Sequence, residues 1–188
     1  MDLRVSTRPS GMAWDMPPPR RLGWRFLVVP PEGSVPPRYR RELLRLDASL
    51  CFGDGAHPTT VLCVEALERL YQRGTPRRVL DVGTGTGILA IAAARLGAQE
   101  VVAIDIDPLA LHAARHHLAL NGVDRRVSLS ARLPGGVFDL VVANLYFEPL
   151  LELAAALASR VAPGGALLVS GFTVSARADV TTALAAHG

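Results

Sequence analysis

The sequence predicts an α/β fold: a doubly wound, Rossmann-like parallel sheet with helices on both faces. Three observations lead there. Between residues 78 and 170, short apolar runs alternate with alanine- and leucine-rich stretches of helical length. The run Val79-Leu80-Asp81-Val82 opens directly into Gly83-Thr84-Gly85-Thr86-Gly87, and Ile88 to Leu96 then continues as a helix. The next run, Glu100 to Ile104, ends on Asp105, at the distance from the glycines where an acid accepts hydrogen bonds from ribose hydroxyls.

Each element has a local cause. Residues 1 to about 20 are polar or proline-rich, with Pro17-Pro18-Pro19 as a stiff spacer, and are expected to lack order. Trp24 to Val29 reads as a strand stopped by Pro30-Pro31, and Arg45 to Phe52 as a second. Residues 1–50 are thus an N-terminal extension with a short β element, and 51–188 form the main domain. Pro58 with Thr59 and Thr60 starts a helix running to about Gln72, with Leu62, Ala66, Leu67 and Leu70 on one face. Asp107-Pro108 starts another, ended by Asn121-Gly122. His112, His116 and His117 lie on it and read as a solvated polar face, since no third metal ligand accompanies the first two. Arg126 to Ser130 and Phe138 to Tyr146 are the third and fourth strands of the sheet. Leu150 to Val161 reads as one helix, Pro163-Gly164-Gly165 as a turn, Ala166 to Ser170 as the fifth strand, and Ser175 to Ala186 as a last helix.

Composition narrows the class. Hydrophobic residues make up 49% of 188, which excludes a disordered chain. Charges, prolines or glycines interrupt every apolar stretch, so no membrane span is expected. Two cysteines without metal-ligand spacing, and no signal peptide, predict a cytoplasmic protein. The net charge is +3, and all 20 basic residues are arginine. That balance is compatible with nucleic acid or an acidic ribosomal surface and selects neither.

A phosphate-binding loop would carry Gly-Lys-Ser or Gly-Lys-Thr, and a nicotinamide site Gly-x-Gly-x-x-Gly. The chain has neither. With Asp81 two residues ahead of Gly-x-Gly-x-Gly and Asp105 beyond, it resembles the class I S-adenosylmethionine-dependent methyltransferases. The Asp139 to Asn144 strand and the Pro163-Gly164-Gly165 turn are further features of that superfamily. Phe52-Gly53-Asp54-Gly55-Ala56-His57-Pro58-Thr59-Thr60 and Asn144-Leu145-Tyr146 are similar to the narrower PrmA family of ribosomal-protein methyltransferases.

The resemblance implies an enzyme with S-adenosyl-L-methionine as cofactor and a protein nitrogen, of lysine or an α-amine on a ribosomal protein, as methyl acceptor. It implies cofactor contacts at Thr60, Asp81, Gly83, Gly85, Gly87, Asp105, Ile106, Ser130, Ala131 and Asn144. Asn144 would also place the acceptor amine, with Phe52 and Tyr146 as an apolar wall; no metal is implied. Asp54 stands where the family has threonine, and the family's last two strands and N-terminal recognition domain are not expected here. The fifth strand would then be an edge favouring self-association. The alternatives are an RNA or small-molecule methyltransferase, or a non-catalytic binding module on the same fold.

Overall fold

The computed structural model describes residues 19–33, 35, 40–47 and 55–187. Expectations for residues 1–18, for Phe52 and for Asp54 lie outside them. Two sheets are present. The smaller has the order β1-β2-β3, with β1 (Arg20–Leu22) antiparallel to β2 (Phe26–Val29) and β3 (Glu42–Arg45) parallel to β2. The larger is fully parallel, with order β6-β5-β4-β7-β8. Its strands are β4 (Arg78–Val82), β5 (Glu100–Ile104), β6 (Val127–Ser130), β7 (Phe138–Asn144) and β8 (Val161–Ser170). Because β4 sits centrally and the order reverses there, its carboxyl end with that of β7 forms the switch point where such sheets hold ligands.

Two apolar clusters cover the two faces of this sheet. On one side Val79, Val101 and Leu140 pack with α1 (Pro58–Arg73), α2 (Ile88–Leu96) and Leu118 of α3 (Pro108–Leu120). Leu22, Phe26, Val28 and Leu44 of the small sheet belong to the same cluster, so the two sheets share one core. On the other side Leu80, Val82, Val141 and Ala143 pack with Leu150 of α4 (Phe147–Glu152), Leu157 of α5 (Ala154–Ala158) and Val180 of α6 (Arg177–Ala185). Alternate residues of β4 therefore serve opposite faces, and its continuous apolar run follows from burial on both. Among the described residues, no helix is long and apolar enough to cross a membrane.

Four expectations need correction. The strand read at Arg45 to Phe52 lies earlier, at Glu42–Arg45. Its position is set by pairing with β2 and by Asn121, whose side-chain amide accepts from Arg45 N at 2.9 Å and donates to Arg45 O at 2.8 Å. The single helix read from Leu150 to Val161 is two short helices capped at Leu153, after which β8 begins at Val161. Leu150, Ala154 and Leu157 stay buried through the break, which is why periodicity alone shows one helix. Pro163-Gly164-Gly165 is an irregularity within β8, spanned by the step from Phe138↔Val161 to Leu140↔Ala166. His117 is fully buried, because α3 turns it toward Asp47 and the glycine loop.

A buried carboxylate joins the small sheet to α1. Glu68 is 2% exposed and accepts from Trp24 N and Arg25 N, both at 2.7 Å, satisfying two turn amides. Glu68→Gln replaces one acceptor with a donor facing an N–H. The variant is expected to lose about 2 kcal/mol, read as a lower urea midpoint at unchanged m.

Candidate functional site

The glycine loop follows β4 and crosses the end of β5, where Gly83 N and Thr84 N both donate to Ile104 O at 2.9 Å. Gly83 has φ +74°, and a Cβ there would collide with the Leu145 side chain. Gly87, at φ +84°, caps α2, and its missing side chain lets Ala114 of α3 approach: a Cβ would lie 3.3 Å from the Ala114 Cβ. Turn and helix packing thus both require glycine here.

Two acids flank the loop in different environments. Asp105 is half-buried; its Oδ2 accepts from Gly85 N at 2.9 Å and its Oδ1 from Asp107 N at 3.0 Å. These bonds fix the carboxylate, while each oxygen keeps further acceptor capacity. Asp107 in turn caps α3 through Leu109 N at 2.8 Å. Asp81 is fully buried, and its Oδ2 accepts from the Thr84 hydroxyl at 2.7 Å. Burial pushes its carboxyl up from 3.8 to about 6, against the Thr84 hydroxyl and the Ala90 amide, which favour the charge; Asp105 adds repulsion. Asp81 Oδ1 is buried and has no hydrogen-bond partner among the described residues.

At the carboxyl ends of β4 and β7 lies a cavity of about 220 Å³ lined by His57, Thr59, Gly83, Gly85, Asp105, Asn144, Leu145, Tyr146, Pro149 and Gly171. Small-molecule sites usually enclose about 300–1,000 Å³, so this cavity is smaller than most. Asn144 ends β7, and its Oδ1 is buried without a hydrogen-bond partner among the described residues. Tyr146 caps α4 and is 68% exposed at the rim. His57 caps α1, its Nδ1 accepting from Thr59 N at 3.3 Å and lying 2.7 Å from Thr59 Oγ1.

The structure therefore brings Gly83, Gly85, Asp105, Asn144 and Tyr146 to one cavity. Thr60, Asp81, Gly87, Ile106, Ser130 and Ala131 do not line it. Thr60 is buried on α1 with an unpartnered Oγ1, and its neighbour Thr59 forms the wall instead. Ile106 is 93% exposed beside Asp105. The Ser130 hydroxyl closes a turn with Arg132, accepting from its N–H at 3.0 Å and donating to its carbonyl at 2.9 Å. Sequence reasoning gave no individual role to His57, Thr59 or Leu145, which lie in the two flanking loops, and missed Pro149 and Gly171 as wall residues. Gly171 carried a usable signal, a glycine directly after a strand; its φ is +96° and a Cβ would strike the Leu145 carbonyl.

Comparison with known proteins adds the following. A family model described as Ribosomal protein L11 methyltransferase (PrmA) matches residues 12–188. A ribosomal protein L11 methyltransferase of Geobacter sp. (strain M21) is 46% identical over 173 residues, covering 88% of this chain and 56% of that protein. The chain thus spans about half the length of the curated relatives it matches. A crystal structure of ribosomal protein L11 methylase from Lactobacillus delbrueckii subsp. bulgaricus superposes with a TM-score of 0.81 at 37% identity, covering 90% of this chain and 88% of that one. A SAM-dependent methyltransferase from Thiobacillus denitrificans, solved with S-adenosyl-L-homocysteine, shares the fold at a TM-score of 0.52 and 21% identity, over 60% of this chain and 49% of that one.

Proposed function

Since the chain belongs to the ribosomal protein L11 methyltransferase (PrmA) family, we propose that it binds S-adenosyl-L-methionine and transfers its methyl group to an amine nitrogen of a ribosomal protein. One observation carries this reading: the ribose-type acid Asp105, the glycine loop and the unpartnered Asn144 carbonyl converge on one cavity at the switch point. The residues present suit the cofactor. Asp105 has acceptor capacity for two ribose hydroxyls. Ile106 offers an exposed apolar side chain beside it for the adenine. Asp81 keeps a negative group beneath the glycine loop for a cationic ligand.

When bound, the cofactor supplies a methyl group already activated by a positive sulfur. The chain's own contribution is placement, so proximity and orientation dominate. Asn144 Oδ1 is an acceptor without a partner, suited to an N–H of a neutral amine. Leu145, Pro149 and Tyr146 form the apolar side of the cavity, which disfavours an ammonium. A lysine ammonium titrates near about 10.4 in water, so this preference matters. His57 Nδ1 accepts from Thr59 N and lies 2.7 Å from Thr59 Oγ1, so that nitrogen is engaged in the helix cap. The acceptor must shed its proton before its lone pair can attack.

Calorimetric titration with S-adenosylmethionine and with nicotinamide cofactors, together with methyl transfer to a ribosomal protein, tests the reading. Binding of nicotinamide alone overturns it. Asp105→Ala should remove charge-assisted hydrogen bonds of about 1.5–3 kcal/mol each and weaken S-adenosylmethionine binding at least about tenfold. Unchanged affinity with an intact circular dichroism spectrum would remove Asp105 from the site.

A further inference from the structure

One buried group outside the cavity touches the cofactor loop directly. His117, on α3, is 0% exposed, and both of its ring nitrogens are engaged. Nδ1 lies 2.9 Å from the carbonyl oxygen of Thr86, inside the glycine loop. Nε2 lies 2.6 Å from Asp47 Oδ1, just beyond β3. A carbonyl and a carboxylate are both acceptors, so both ring nitrogens must donate. The Asp47 amide also approaches Nε2, at 3.3 Å, but the much shorter carboxylate contact decides the proton's place. Donation from both nitrogens satisfies the Thr86 carbonyl and the Asp47 carboxylate together. His116 pairs with the other carboxylate oxygen at 3.0 Å, its ring tilted against His117 at 5.6 Å between centroids.

The same end of α3 grips β3 a second time. Asn121 pairs both backbone groups of Arg45, and its own carbonyl accepts from Arg95 of α2 at 2.6 Å. Asp47 is therefore delivered at a fixed place relative to α3. The Thr86 carbonyl has no free choice of direction: Thr86 is 1% exposed, and its neighbour Gly87 must cap α2 while donating to Thr84 O at 2.9 Å. A ring nitrogen donating to Thr86 O sets the last peptide of the glycine turn and, through it, the start of α2.

We propose that His117, kept doubly protonated by Asp47, is a positioning residue of the cofactor loop. Its effect on the cofactor rests on the methyltransferase reading above; its effect on the loop does not. The small sheet then takes part in the site by supplying the counter-ion that holds the loop's clamp.

The test uses the full chain and three variants: His117→Asn, Asp47→Asn and, as control, His112→Asn, on the same helix but exposed and away from Asp47. In the wild type, nitrogen NMR of histidine-labelled protein should show His117 with both ring nitrogens protonated, and Asp47→Asn should return it to a single tautomer. Amide exchange at Gly87, measured where each variant is folded, should speed up about tenfold or more in His117→Asn and stay within about twofold in His112→Asn. S-adenosylmethionine affinity should fall about tenfold in His117→Asn and be near wild type in His112→Asn. If His117→Asn does not fold, Asp47→Asn carries the test, with the same direction in exchange and affinity. A singly protonated His117 in the wild type, or Gly87 exchange unmoved by both His117→Asn and Asp47→Asn, overturns the proposal, even if the melting temperature drops. A wild type that binds no S-adenosylmethionine overturns the methyltransferase reading instead, and the exchange data then decide the loop's clamp alone.

Discussion

Asn144→Ala is expected to lower methyl transfer to a lysine-containing ribosomal protein by about ten- to a thousand-fold, at about 1.4 kcal/mol per tenfold. The variant loses the acceptor that would hold the amine in line, while Gly83, Gly85 and Asp105 remain to hold the cofactor. Cofactor affinity, titrated on the same preparation, should change much less than turnover. Stability separates this from a folding defect. A buried acceptor without a partner costs about 1–3 kcal/mol, so removing Asn144 Oδ1 should leave the ligand-free chain at least as stable as before. A slow variant that is no less stable supports a positioning role. Full turnover in the variant, or transfer by the wild type to an oxygen acceptor alone, would defeat the amine reading.

The second large effect concerns Asp81. Its carboxyl is raised from 3.8 to about 6, so between these values the folded state holds a proton that the unfolded chain has lost. Stability therefore falls as pH climbs from about 4 through about 6 and stays reduced above, by up to about 3 kcal/mol. Asp81→Asn does not titrate and can still accept from Thr84. At pH 7 it should be more stable than wild type by as much as that, with the gap closing below about pH 4. The gain should come at the expense of binding, since a cationic ligand favours the ionised acid. Wild-type affinity for S-adenosylmethionine should rise as pH climbs through about 6, and the asparagine variant should lack that rise. Chemical denaturation at several pH values, paired with titration, reads both. Parallel stability profiles for the two chains would show that Asp81 is not held in its raised state.

How much of this was legible in the sequence depends on how local the cause is. β4, the glycine turn and α2 lie where the sequence places them, because an apolar run, three glycines and an alanine-rich stretch act within a few residues. The cap at Asp107 and the end at Asn121 are as local. β3 was misplaced because its extent depends on β2 and on an asparagine 76 positions away. His117 was misread because its neighbours His112 and His116 are more exposed, and the acceptors that bury it are 70 and 31 positions away. In the site, the acids and glycines announce themselves by spacing. Leu145 and Gly171 do not, since they become wall residues only when the ends of β7 and β8 come together; Leu145 N donates to Ser170 O at 3.0 Å there.

Leu145 fills the space that side chains on Gly83 and Gly171 would need, meeting the first with its side chain and the second with its backbone. The turns after β4, β7 and β8 are thus wedged around a single residue. A larger group at either glycine displaces Leu145, and with it Asn144 and Tyr146 on either side. That floor is poorly suited to gradual change: one substitution disturbs three turns together. In a redesigned variant, substitutions at His57 and Thr59, at the entrance to α1, are therefore expected to reshape the cavity wall with less strain than substitutions at residues 83, 145 and 171.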